Sequence, residues 1–249
     1  MNIIGIIPAR YASTRFPGKP LAMINGKSMI QRVYRQASKA TMLNEVIVAT
    51  DDQRIYDHVL QFGGKVMMTS EQHANGTSRC AEVLSTLTES ENKKIDAVIN
   101  IQGDEPFIQP EQIDNLAGLF GDKHTDIATM AKAIDKEGDI FDSNTVKVVT
   151  GTNGFALYFS RQAIPYVRSS EKGKWQNQHQ FLKHIGIYGY RSPVLKKIVL
   201  LEPSPLESAE KLEQLRWLEN GFRIKVKTTD FDSISVDTPA DLEKIARNS

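Results

Sequence analysis

The sequence predicts an α/β chain built on a mostly parallel central sheet flanked by helices, and three features lead to that class. Branched apolar runs at residues 3–7, 45–50 and 96–101 lack polar alternation, as strands buried on both faces do. Stretches of helical periodicity separate those runs and give the rhythm of β–α–β crossovers. The 249-residue chain is 40% hydrophobic and 24% charged, ordinary proportions for a chain that buries a full core without disulfides.

The elements follow in order. After the strand at 3–7 comes a polar stretch, 9–20, punctuated by glycine and proline. Residues 28–39 read as a helix with Ser28 at its N-cap and Met29, Ile30, Val33 and Ala37 on one side. The next strand is 45–50 and the next helix 51–62. Residues 65–68 are strand-like, 78–87 helical, and 96–101 a further buried strand. The second half is less regular, with strands at 128–133, 146–149, 156–159 and 184–190. One helix is expected over 207–219, a strand over 224–228, and a closing helix over 239–246 with Thr238 as N-cap and Pro239 at its first position. No repeat and no marked linker divides the chain, so a single domain over 1–249 is expected. The irregular polar stretch 169–180 is a candidate lid.

Charge excludes several classes of partner. Thirty-one Lys and Arg against 30 Asp and Glu leave a net charge of +1, so no global field draws the chain to nucleic acid or an anionic membrane. One cysteine permits no intrachain disulfide. The apolar run near Met1 lacks a basic leader and a small-residue cleavage site, and it is shorter than a membrane helix requires. A soluble intracellular protein, an enzyme acting on a small molecule, is the expectation.

The densest chemical signal is the loop after the first strand, which carries Arg10, Arg15 and Lys19. At the carboxyl edge of a parallel sheet, such cations and backbone N–H groups suit a triphosphate, although a solvated basic loop has the same composition. Neither a P-loop nor a G-x-G-x-x-G follows the first strand. Asp104, in Gln102-Gly103-Asp104-Glu105-Pro106, also ends a strand, and so does Asp237; each suits Mg²⁺ or a cap. Gly76-Thr77-Ser78-Arg79 offers a helix N-terminus and a guanidinium, with an intrahelical Arg79–Glu82 pair as the plainer alternative. On the helix from Glu207, the residues Glu207, Glu210 and Gln214 share a polar stripe that reads sugar hydroxyls or faces solvent. His184 and Tyr188 fall on one face of a strand.

These blocks together resemble the CMP-Kdo synthetases, the 3-deoxy-manno-octulosonate cytidylyltransferases. The likeness lies in residues 7–20, Val48-Ala49-Thr50-Asp51, Asn100 to Pro106, Ala156 to Arg161, His184 to Tyr190, Pro205-Leu206-Glu207, Leu212 to Arg216 and Val236-Asp237-Thr238-Pro239. It runs from about Ile3 to Leu242.

The resemblance implies a Rossmann-like nucleotidyltransferase fold with a smaller mixed β region for sugar binding and dimerisation. It implies a cytoplasmic homodimer that joins CTP and Kdo to give CMP-Kdo and pyrophosphate with Mg²⁺, for lipopolysaccharide. Arg10, Lys19, Asp104 and Asp237 would be catalytic, the two aspartates holding the metal, which would lower the pKa of the attacking hydroxyl. Ala9, Arg10, Ser13, Arg15, Lys19, Thr50, Asp51, His73, Gly76, Thr77, Arg79 and Gln102 would bind the nucleotide. Gln102, Arg161, Arg168, His184, Tyr188, Glu207, Glu210 and Gln214 would line the sugar side.

This chain departs from the family pattern at Ser78, where glutamate is usual, and at Tyr166 and Val167, where tryptophan and an acidic residue are common. These changes keep 8-amino-Kdo as an alternative substrate. A sialic acid or a non-catalytic nucleotide-binding role are the remaining rivals.

Overall fold

The computed structural model describes residues 1–12, 16–232, 235–236 and 238–242. Internal contacts group the chain into two compact units, one formed by Met1–Gly118, Gly189–Val199 and Ser233–Ser249, the other by Leu119–Tyr188 and Leu200–Asp232. The chain passes between them four times. Units interleaved in this way need no single linker, which is why the sequence showed none.

In the first unit, β1 (Ile3–Ala9) leads to a short hairpin, β2 (Met23–Ile24) and β3 (Lys27–Ser28), and then to α1 (Met29–Ala37). There follow β4 (Glu45–Thr50), α2 (Gln53–Gln61), β5 (Val66–Met68), α3 (Gly76–Ser85), β6 (Ala97–Asn100) and α4 (Pro110–Gly118). The strands lie in the order β6-β1-β4-β5, every neighbouring pair parallel. Ile6 faces Ile47 on one side and Asn100 on the other. Residues 3–7 are buried throughout, as an unalternating apolar run in a parallel sheet requires.

The helices start where side chains satisfy their free N–H groups. Ser28 Oγ accepts from the Gln31 N–H, and α1 buries Met29, Ile30, Val33 and Ala37 as expected. Asp52 caps α2, which therefore begins at Gln53. Asn75 caps α3 through the Ser78 N–H at 2.9 Å, so this helix begins at Gly76, two residues before its predicted start. The helix α4 was not predicted.

The second unit contains β7 (Ile127–Ala133), α5 (Glu137–Phe141), β8 (Lys147–Thr150), β9 (Ala156–Ser160) and most of β10 (Leu182–Arg191). Between β10 and the later elements, α6 (Ser192–Ile198) belongs to the first unit. The second unit then continues with α7 (Pro205–Glu210), α8 (Glu213–Glu219) and β11 (Ile224–Thr228). β11 runs parallel to β7, which neighbours β10, while β8 lies antiparallel between β10 and β9.

One expectation changes here, and another gains an anchor. The helix predicted over 207–219 is broken: Lys211 takes a left-handed backbone with φ 54°, and Leu212 is extended before α8 starts. The polar stripe of Glu207, Glu210 and Gln214 therefore does not exist as one helix face. The stretch 169–180 is irregular as expected, but Trp175 at its centre is 2% exposed and packs with Ile134, Ile140 and Phe181. Its indole Nε1 donates to the Ser170 carbonyl.

The predicted closing helix is helical over residues 239–242, where Thr238 and Asp241 cap one another. Its remainder lies outside the described residues. Among the described residues, no helix is long and apolar enough to cross a membrane.

Candidate functional site

The first unit has its topological switch at β1. The chain moves from β1 to β4 and β5 on one side, then returns to place β6 on the other. Loops leaving the carboxyl ends of β1 and β6 consequently part, and such a point is where parallel sheets open a crevice. A cavity of about 360 Å³ occupies it, walled by the ends of β1 and β6, Lys19, and the turn that enters α3.

Glycines let the walls approach. A Cβ on Gly103 would stand 2.7 Å from the Pro8 carbonyl oxygen, so only glycine allows the turn after β6 to sit on the end of β1. Gly18, at φ 72°, bonds its N–H to the Tyr11 carbonyl and closes the long loop on itself. The guanidinium of Arg54 lies 3.3 Å over the Tyr11 ring.

Lys19 is the connecting charge. Its Nζ donates to Asp104 Oδ2 at 2.6 Å and to the Val236 carbonyl at 2.9 Å. The Val236 N–H in turn donates to the Asp104 carbonyl at 3.0 Å. Three segments far apart in sequence thus meet beside the cavity. Arg10 stands exposed on its wall. Ser13, Arg15 and Asp237 fall outside the described residues.

The opposite wall is held by two further pairs. Arg79, 3% exposed, donates to Asp51 Oδ2 at 2.6 Å and to Thr69 Oγ1 at 2.5 Å. Neither the open guanidinium nor the intrahelical Arg79–Glu82 pair expected from spacing is present. Glu82 instead binds His73 and accepts from the Ser70 N–H.

Burial opposes ionisation of Glu82. The bonds from His73 and Ser70, with the charges of His73 and Arg79, outweigh it and hold the carboxyl below its usual 4.5. Ser78, where the family pattern has glutamate, spends its hydroxyl on the Asn75 carbonyl.

The nucleotide set therefore divides. Ala9, Arg10, Lys19, His73, Gly76, Arg79 and Gln102 line the cavity, together with Asp104. Thr50 and Thr77 are buried, and Asp51 serves Arg79 from behind the wall.

The sugar set, Gln102 apart, lies in the second unit. Arg161 is held by its neighbours: its N–H donates to Glu210 Oε2, its Nε to the Glu210 carbonyl at 2.7 Å, and its Nη1 to the Ser143 carbonyl at 3.0 Å. Ser160 takes the other Glu210 oxygen at 2.6 Å. Glu207 accepts from Arg216 at 2.9 Å and from the Ser204 N–H. Gln214 is 5% exposed, and Arg168 is exposed.

His184 meets the Phe159 ring edge-on at 5.1 Å and the Tyr188 ring at 5.2 Å. Its Nε2 lies 2.9 Å from Thr129 Oγ1. This enclosure pushes the imidazole pKa down to about 3, so the ring is neutral. Tyr188 is 8% exposed and packs edge-on against Trp217.

Two residues of this framework were absent from the sequence reading. Lys147 is fully buried, and its Nζ donates to the carbonyls of Asp142 and Arg161, at 2.8 and 2.6 Å, and of Thr145. Desolvation lowers its pKa. A lysine inside the apolar run 146–149 was the available signal. Thr129 gave none beyond a hydroxyl in an apolar strand.

The comparisons with known proteins cover nearly the whole chain. A family model described as cytidylyltransferase matches residues 4–227. A 3-deoxy-manno-octulosonate cytidylyltransferase of Parabacteroides distasonis is 54% identical over 98% of this chain and 96% of its own. One of Cytophaga hutchinsonii is 52% identical over 100% of this chain and 98% of its own. The solved structure of a CMP:2-keto-3-deoxy-manno-octonic acid synthetase complexed with CTP superposes with a TM-score of 0.90 at 42% identity, covering 100% of this chain and 98% of that one.

The depressed Glu82 carboxyl has a measurable consequence. Its stabilising share is complete above pH 4.5 and is lost as pH falls through the lower folded value. Thermal melting across that acid range should show the natural chain losing stability more steeply than Glu82→Gln. Parallel curves would remove Glu82 from the account.

Proposed function

The chain belongs to the cytidylyltransferase family, and from that premise we infer that it transfers CMP from CTP to 3-deoxy-manno-octulosonate (Kdo), releasing pyrophosphate, in the service of lipopolysaccharide synthesis. The observation that carries this reading is the end-to-end likeness to a synthetase solved with CTP. The cavity at the switch of the first unit supports it, being lined by cations where a triphosphate would lie.

The reaction joins two anions, and this sets the work of the site. The anomeric hydroxyl of Kdo loses its proton to solvent and its oxygen attacks the α-phosphorus, the bond from that phosphorus to the bridging oxygen breaks, and pyrophosphate departs with the electron pair. Lys19 and Arg10 screen the approach and take up charge on the leaving group. Lys19 needs no search to do so, because Asp104 and the Val236 carbonyl already hold its ammonium. On the sugar side, the carbonyls of Glu210 and Ser143 and the buried Lys147 keep Arg161 in one orientation, suited to a carboxylate.

We assign Mg²⁺ to Asp104 and Asp237. Mg²⁺ prefers one or two carboxylates completed by phosphate oxygens and water, so it needs no larger cluster, and none gathers among the described residues. Asp104 fits, since its Oδ1 has no partner among the described residues and the side chain faces the cavity. The bond between the main chains of Val236 and Asp104 supports Asp237, the next residue, as the second ligand. When bound, the ion would offset triphosphate charge and lower the pKa of the attacking hydroxyl.

We read the working form as a cytoplasmic homodimer. Leu157 and Tyr166, 66% and 73% exposed on the second unit, are apolar surface a partner would cover.

Purified chain with Mg²⁺, each nucleoside triphosphate and a panel of Kdo, 8-amino-Kdo and a sialic acid should release pyrophosphate only when CTP and Kdo are both present. Release with another acid alone would move the substrate. Asp104→Asn and Asp237→Asn should each cut turnover at least a hundredfold, about 3 kcal/mol of lost transition-state stabilisation. Full turnover in either would remove that residue from the metal site. Light scattering should return twice the 27.9 kDa chain mass, and a single chain mass would refute the dimer.

A further inference from the structure

The hydroxyl of Thr129, on β7 and fully buried, touches three polar atoms at once. Its Oγ1 lies 2.8 Å from the Ile187 carbonyl, 3.3 Å from the Ile185 carbonyl and 2.9 Å from His184 Nε2. A hydroxyl carries one proton, and a carbonyl oxygen can only accept. If that proton went to Nε2, two oxygens would face each other across 2.8 Å with no proton between them, at a fully buried hydroxyl. The proton therefore goes to Ile187, and His184 must supply its own from Nε2. Phe159 and Tyr188 fix the plane of the ring. The other nitrogen, Nδ1, then bears a lone pair and has no partner among the described residues.

We propose that Thr129 is a positioning residue for sugar recognition: it fixes His184 as the tautomer protonated on Nε2, so that Nδ1 accepts a hydrogen bond from a hydroxyl of the sugar acid. The proposal rests on the reading of the second unit as the sugar side. A lone pair at Nδ1 repels a carboxylate and attracts a hydroxyl. His184 therefore reads the polyhydroxyl part of the substrate, and the acid group falls to a cation such as Arg161. The tautomer thereby sets which end of an acidic sugar may approach the ring.

Two-bond ¹⁵N–¹H correlation spectra of histidine-labelled protein separate the two neutral tautomers and the imidazolium, and the chain has five histidines to assign. In the ligand-free protein His184 should appear with its proton on Nε2. Thr129→Val removes the hydroxyl and should give a mixture of tautomers. It should also raise KM for the sugar roughly tenfold, the scale of one hydrogen bond, while KM for CTP stays within about twofold. Thr129→Ser keeps the hydroxyl and should restore both.

A natural chain with the proton on Nδ1, or with a charged ring, would overturn the proposal. A Thr129→Val protein that keeps both the Nε2 proton and the natural KM would do the same. If the valine variant fails to fold, the spectrum of the natural chain and the KM of the serine variant decide. Absence of turnover with Kdo in the natural chain would instead strike at the substrate reading, since the spectrum needs no substrate.

Discussion

The first unit is organised around the ammonium of Lys19. A single positive charge is shared between the Asp104 carboxylate and the Val236 carbonyl, joining the loop after β1, the turn after β6 and the segment near Val236. Without it, the loop carrying Arg10 would be a solvated basic stretch. With it, Lys19 and Asp104 stand at fixed places beside the cavity before any substrate arrives. Electrostatic catalysis depends on such prior arrangement, because dipoles that must reorganise during reaction give back part of what they stabilise. The bare Cα of Gly103 is the steric counterpart, since it lets the Asp104 turn sit on β1 at all.

The second unit uses charge differently. Lys147, Glu210 and Arg216 direct their charges at protein groups: Lys147 at three carbonyls, Glu210 at Ser160 and Arg161, Arg216 at Glu207 and the Leu201 carbonyl. Charges removed from water are tolerable only when so satisfied. The effect is to immobilise the backbone of residues 142–145 and the head of Arg161. In Thr129 and His184 the same economy involves neutral groups, where the direction of one proton carries the information.

What the sequence revealed and what it hid follow from the range of the forces involved. Strands β1, β4 and β6 were legible because burial on both faces leaves an unbroken branched run. The Ser28 cap was legible because its partner, the Gln31 N–H, is three residues away. The cavity loop was legible by position, the edge of a parallel strand followed by three cations. By contrast, Arg79 finds Asp51 from 28 residues away and Thr69 from 10, and no local pattern announces either. Spacing favoured Glu82, which tertiary structure gave to His73. The break at Lys211 was hidden because a lysine in the left-handed region carries none of the marks of a glycine stop. Trp175 was hidden inside a polar stretch, whose composition gives no sign that its indole packs into an apolar cluster.

The interleaving of the units also bears on how the protein comes into being. The ribosome issues the strands of the first unit early, then the body of the second, and only later the residue whose carbonyl completes the grip on Lys19. A nascent chain shorter than Val236 contains every strand of that parallel sheet but lacks the carbonyl that closes on Lys19. The wall of the cavity is therefore completed by one of the last residues made, although its first cations are among the earliest. A fragment ending before Val236 would carry the strands and the basic loop yet lack the carbonyl that completes the hold on the Lys19 ammonium.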